Sequence, residues 1–228
     1  PIASGDTLVL IALHHSIADG GSTRVLSEVL SRLYGEAVSG RIQSSDEQIV
    51  STAQRAFQYR DYVVWLQQWL QSDRGEAALA FWKQTYEIPV EPLHLPATRI
   101  RPAQRSGVGA STTYLIPAES GRALRRFAQS ENVTLFSAVL ACFQLTLARV
   151  SGQTDFCIGT VVSGRPSVVF ESTLGFFANV LPLRVQIDWS ASPAELLASV
   201  QRHVSACLAH QLVPFDLLVE NLAIPRDP

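Results

Sequence analysis

The sequence contains no methionine and only three cysteines, and charged residues make up 17% of it. Cys142, Cys157 and Cys207 are odd in number, widely separated and in apolar surroundings. That favours reduced, buried thiols in a cytosolic protein over a disulfide framework, and no metal-ligand spacing links them. No apolar run reaches the ~18 residues that span a bilayer. Thr7 to Leu13 and Val133 to Ala148 are too short or interrupted, and no basic start with a cleavage pattern marks a signal peptide. With a net charge of −2 and a pI near 6.2 there is no basic footprint for nucleic acid or an anionic membrane. A Gly-x-Ser-x-Gly elbow is also missing, which disfavours a serine hydrolase, and no glycine-rich phosphate loop appears.

What remains is an ordinary globular composition, 47% hydrophobic over 228 residues. The chain opens on Pro-Ile-Ala-Ser and stops at Arg226-Asp227-Pro228, which reads as a piece of a longer polypeptide. Thr7 to Leu13 is an apolar, β-branched run and predicts a buried strand. Ser16 to Ser22 predicts a loop, followed by a helix from Thr23 to Gly35. Helices are expected over Thr52 to Leu70 and Gly75 to Tyr86. Ile88 to Ala110 is broken by Pro89, Pro92, Pro96 and Pro102 and is the best linker. Beyond it, Ser111 to Ile116 predicts a strand and Pro117 to Ser130 a helix. Thr134 caps a helix that runs to about Arg149 and closes at Gly152. Strands follow at Asp155 to Val162 and Val180 to Ile187. Ser192-Pro193-Ala194-Glu195 starts a helix reaching about His210, and Pro214 to Leu222 is a last short helix. The alternation gives an α/β or α+β class: 1–95 belong to a first lobe, 96–110 to a linker and 111–228 to a second lobe.

The chemistry-bearing segment is His14-His15-Ser16-Ile17-Ala18-Asp19-Gly20. Neighbouring residues at a strand end face opposite ways, so the two histidines are poorly placed to share a metal. One imidazole can face a cavity as a general base or hydrogen-bond donor for acyl transfer while the other packs inward. The plainer reading makes both ordinary core or surface histidines. Asp19 could orient an imidazole, lock the loop by pairing with an arginine, or simply form an Asp-Gly turn. Gly20 and Gly21 let backbone N–H groups approach a reacting oxygen. Ser22 could cap the next helix.

This segment resembles the HHxxxDG motif of condensation domains in nonribosomal peptide synthetases, a motif shared with chloramphenicol-type acyltransferases. Four further stretches match that family in order. They are Tyr59-Arg60-Asp61-Tyr62-Val63-Val64-Trp65, Leu93-His94-Leu95-Pro96 to Arg101-Pro102, Leu174-Gly175-Phe176-Phe177-Ala178-Asn179-Val180 to Arg184, and His210-Gln211-Leu212-Val213-Pro214-Phe215-Asp216. Pro225-Arg226-Asp227-Pro228 looks like the start of another. Gly21, Leu212 and Ala178 depart from the family pattern, standing where a bulky, an acidic and a β-branched residue are common.

The resemblance implies a chloramphenicol-acetyltransferase-like sandwich, with part of a first lobe and most of a second around a tunnel. It implies amide formation, in which the amine of an acceptor aminoacyl thioester attacks a donor acyl thioester. Both groups arrive on phosphopantetheine arms of upstream and downstream peptidyl carrier proteins beside an adenylation domain, and the domain binds no cofactor or metal of its own. His15 and Gly20 fall at the reaction centre. His14, Asp19 and Arg165 support it, with Asp19 paired to Arg165 from the Ser163-Gly164-Arg165-Pro166 loop. Ser22, Asn179 and His210 fall near the tunnel, whereas Trp65, Phe176 and Phe177 read as core or tunnel wall. The family's earlier N-terminal motifs are absent from these 228 residues, implying that they do not catalyse condensation alone. An epimerisation domain, a coenzyme-A-dependent acyltransferase or a degenerate docking module are the alternatives within the fold. Intact His14 and His15 argue against a cyclising relative.

Overall fold

The computed structural model describes residues 7–40, 57–97 and 107–222. Within them the elements run α1 (Gly20–Val38), α2 (Tyr59–Leu70), α3 (Asp73–Thr85), α4 (Ala118–Ser130), α5 (Leu135–Ser151), β1 (Asp155–Val162), a short 3-10 turn (Val168–Phe170), β2 (Asn179–Gln186), α6 (Pro193–Ala209) and α7 (Phe215–Leu222). The described sheet is the pair β1–β2. By packing, the chain groups into two compact units. One is residues 1–75 with 162–179, and the other is residues 76–161 with 180–228. Of the proposed linker at 96–110, residues 98–106 lie outside the described residues, as do Thr52 to Ala56 and Ala223 to Pro228.

Local capping chemistry fixes several helix ends. The Thr134 hydroxyl accepts the Ser137 N–H at 3.1 Å, and Gly152 takes a left-handed φ of 75° while its N–H returns to the Ala148 carbonyl. Ser192 and Glu195 form a reciprocal capping box with Pro193 in the first turn of α6. Gln58 and Asp61 do the same for α2. α5 packs on α4 and α6. Ala148, Phe156, Val185 and Ile187 form a buried cluster beneath them, joined by Leu145, Leu147, Ile158 and Leu196. Among the described residues no single helix is long and apolar enough to cross a membrane.

Three local expectations are corrected. Thr7 to Leu13 forms no strand, and its apolar side chains are exposed, Leu10 at 89%. Ser111 to Ile116 is likewise irregular, with Tyr114, Leu115 and Ile116 exposed. A strand exists through its ladder, and the described residues supply neither run with one. Cys142 is exposed on α5 rather than buried, while Cys157 is half-buried and Cys207 buried. Burial pushes the Cys207 thiol up to about 12, with Cys157 adding to the rise. That thiol is therefore protonated and inert near neutral pH.

Candidate active site

α1 begins one turn earlier than the apolar spacing predicts, and its cap is Asp19 rather than Ser22. The Asp19 carboxylate is 4% exposed and carries six hydrogen bonds. Oδ1 accepts the Ser22 N–H at 2.8 Å, the Ser22 hydroxyl at 2.9 Å and Arg165 Nη2 at 3.0 Å. Oδ2 accepts Arg165 Nη1 at 2.9 Å and the N–H groups of Phe177 and Ala178 at 3.0 and 3.2 Å. Burial alone would raise the Asp19 pKa. The bonds from Arg165, Ser22 and Phe177 outweigh it and hold the group at about 2.

Arg165 completes the lock from the segment between the two strands. Its side chain is 7% exposed, its Nη2 also donates to the Thr173 carbonyl at 3.3 Å, and its guanidinium lies 4.3 Å from the Phe177 ring centroid. Its Nε is buried without a partner among the described residues. Two glycines make the fit possible. A Cβ on Gly21 would overlap the guanidinium, and one on Gly164, at φ 62°, would overlap the Phe177 carbonyl oxygen. The departure noted at Gly21 thus leaves room for the arginine. Ser22, expected near the tunnel, is fully buried instead. Besides Asp19, its hydroxyl donates to the Gly175 carbonyl at 2.7 Å and accepts the Gly175 N–H at 3.1 Å. Tyr62, Phe170 and Phe177 close the underside, with Tyr59, Trp65 and Leu66 packed against them.

On this base stands the turn of the two histidines, closed by the Ile17 N–H to the His14 carbonyl at 3.1 Å. The His14 Nδ1 accepts the Ser16 N–H at 3.2 Å, so its neutral proton sits on Nε2. The reverse holds for His15. Its Nδ1 lies 2.8 Å from the Ala18 carbonyl, which can only accept, so Nδ1 carries the proton. That leaves the lone pair on His15 Nε2, which has no partner among the described residues. The His15 ring is exposed and meets the Phe176 ring at 5.4 Å and 82°. Gly20 is exposed in the first turn of α1, where a helix provides no acceptor for the backbone N–H. The arrangement places an exposed imidazole five residues before a helix start whose first-turn N–H groups have no acceptor within the helix, a combination suited to acyl transfer.

The structure therefore brings His14, His15, Asp19, Gly20, Ser22 and Arg165 into one compact unit. Asn179, half-buried, opens β2. His210 caps α6 in the other unit, its ring stacked on Phe81 at 4.2 Å and its carbonyl accepting Trp82 Nε1 at 3.0 Å. There it serves as a joint between α3 and α6. Thr173, Gly175 and the Phe176–His15 contact were not singled out as site residues by sequence reasoning. Nothing in local spacing announces a contact between residues so far apart.

The model of the condensation domain family matches residues 2–228. This chain belongs to the condensation domain family. It is 38% identical over 225 residues to a component of the linear gramicidin synthase of Brevibacillus parabrevis, covering 99% of this chain but 3% of that relative. The X-domain from teicoplanin biosynthesis superposes with a TM-score of 0.80 at 26% identity, over 94% of this chain and 47% of that one. The same X-domain in complex with OxyB gives 0.79. The first condensation domain of the calcium-dependent antibiotic synthetase, at 24% identity and a TM-score of 0.70, shares the fold over 94% of this chain and 45% of its own. The condensation domain fold, a mixed helix-and-sheet architecture of the chloramphenicol acetyltransferase kind, is thereby established. The chain spans less than half the length of these solved structures and a small fraction of that synthase.

Proposed function

We propose that this chain carries the reacting imidazole of a peptide synthetase condensation domain. The amine of an acceptor aminoacyl thioester attacks the carbonyl of a donor acyl thioester, a C–N bond forms, and the C–S bond breaks. The carrier thiolate leaves and takes up the proton that the amine loses. The observation that supports this reading is the 2.8 Å contact of His15 Nδ1 with the Ala18 carbonyl, an acceptor that calls for the proton on Nδ1. With Nδ1–H tied to Ala18, the exposed Nε2 can accept the amine proton or hold the amine in line. Gly20 supplies backbone N–H for the tetrahedral oxyanion, and the Asp19–Arg165 lock keeps both in place. His14, Asp19, Arg165 and Ser22 act as supports, and Asn179 belongs to the wider substrate surroundings. No resident cofactor is needed, because both substrates arrive on phosphopantetheine arms of flanking carrier domains, with an adenylation domain adjacent in a cytoplasmic synthetase. The linear gramicidin synthase component, of which this chain covers 3%, supports a setting within a much longer polypeptide.

The test is peptide-bond formation by the full synthetase polypeptide with loaded donor and acceptor carriers. His15→Ala is expected to lower turnover by about 100-fold or more, and unchanged turnover would remove His15 from the mechanism. Likeness to the X-domain in complex with OxyB supports a second reading, a docking module. That reading predicts no turnover in the unmutated protein.

A further inference from the structure

We infer that Phe176 is a positioning residue for His15, presented to the imidazole by a clamp whose other jaw is Tyr59. The inference rests on the reading of His15 above. The segment 175–178 is pinned on both sides of Phe176. Gly175 exchanges two hydrogen bonds with the Ser22 hydroxyl, and the N–H groups of Phe177 and Ala178 bond Asp19. The Tyr59 hydroxyl donates to the Phe176 carbonyl at 2.6 Å, and its ring lies so close over Gly175 that a Cβ there would collide with it. Phe177 is thereby turned inward, 3% exposed, and Phe176 outward, 39% exposed. An outward phenylalanine alone needs no explanation. This one is fixed through its own carbonyl and both neighbours, and its ring meets the imidazole edge-to-face.

The physical consequence concerns the imidazole plane. The Nδ1 bond to Ala18 fixes one edge of the His15 ring, and rotation about that bond remains open. A second contact from Phe176 removes that freedom and sets the direction of Nε2. Edge-to-face pairs of this kind change a conformer population by up to roughly tenfold, and misdirected reacting groups cost rate without weakening binding.

Histidine-selective 15N labelling of the chain, which has five histidines, reads the His15 tautomer and ring environment directly. Phe176→Ala is expected to abolish the ring-current shift on the His15 protons and to lower the Nδ1–H fraction. Tyr59→Phe, which deletes only a hydroxyl, is expected to shift both part-way. In the full synthetase, Phe176→Ala should lower kcat about 5- to 10-fold, with the acceptor KM within twofold of wild type. A His15 spectrum unmoved by either substitution overturns the inference. If the spectrum moves while His15→Ala leaves turnover intact, the function proposed for His15 fails and the positioning contact stands.

Discussion

Two arginine–carboxylate pairs, one in each compact unit, do different work. Asp19–Arg165 joins residues 146 apart in sequence, with side chains 3% and 7% exposed. Every lone-pair direction of that carboxylate is taken by a donor. Asp155–Arg184 ties the start of β1 to β2. Its arginine is 9% exposed, but its carboxylate is 42% exposed. Arg184 also donates to the carbonyls of Thr85 and Ile88, so it has alternatives. A pair sealed from water on both sides defines a geometry, whereas a pair whose carboxylate faces water adds an increment to one already defined by the strands.

The sharpest way to break this contrast is to delete the sealed carboxylate. Asp19→Ala leaves the Arg165 guanidinium buried with, among the described residues, the Thr173 carbonyl and Ser22 hydroxyl as its hydrogen-bond acceptors. Removing one partner of a buried pair costs about 3–5 kcal/mol, a large share of a typical domain's stability. Urea unfolding followed by tryptophan fluorescence measures it, since Trp65 packs on the same aromatic cluster. A loss under about 1 kcal/mol would make the lock no different from a surface pair.

Acid probes the same lock without mutation. The folded-state pKa of Asp19 lies below its ordinary 3.8, at about 2. Its contribution is therefore complete above pH 3.8 and is lost as pH falls toward 2. The difference is worth on the order of 2 kcal/mol. Asp155 is also lowered, chiefly by its bonds from Arg184, so both pairs weaken in the same direction. Unfolding midpoints between pH 5 and pH 2 in wild type and Asp19→Ala separate them. The wild type should lose stability steeply and the variant shallowly, and parallel curves would place the acid sensitivity elsewhere.

The same contrast explains what could be read from the sequence. Helix ends at Thr134, Gly152 and Ser192-Pro193 were legible because capping is decided within four residues. The runs Thr7 to Leu13 and Ser111 to Ile116 carry strand-like composition, but composition does not say which edge will bond them. At the start of α1 two cap-type residues, Asp19 and Ser22, stood one turn apart. The choice between them was tertiary, because Ser22 also serves Gly175 more than 150 residues away. The Asp19–Arg165 pairing came from resemblance to a family pattern and not from spacing. The Phe176 contact with His15 could not come from either, since an aromatic wall residue and a positioning residue look alike until the backbone carbonyl that aims the ring is seen.

The smallest expected effect belongs to the half-open pair, and it sharpens the comparison most cleanly. Asp155→Asn keeps the volume and one acceptor oxygen while removing the charge. Arg184 retains the Thr85 and Ile88 carbonyls, and the lost carboxylate was already facing water. A loss of about 0.2–1 kcal/mol is expected, shrinking further at high salt. Denaturant midpoints at low and high ionic strength check both points. In Asp155→Asn the high-salt decrement should nearly vanish, whereas a buried deletion such as Asp19→Ala should keep its full cost at either salt. If Asp155→Asn instead cost as much as Asp19→Ala and did so independently of salt, exposure would not be what separates the two pairs. The start of the β1–β2 ladder would then need the same sealed geometry as the turn beneath His15.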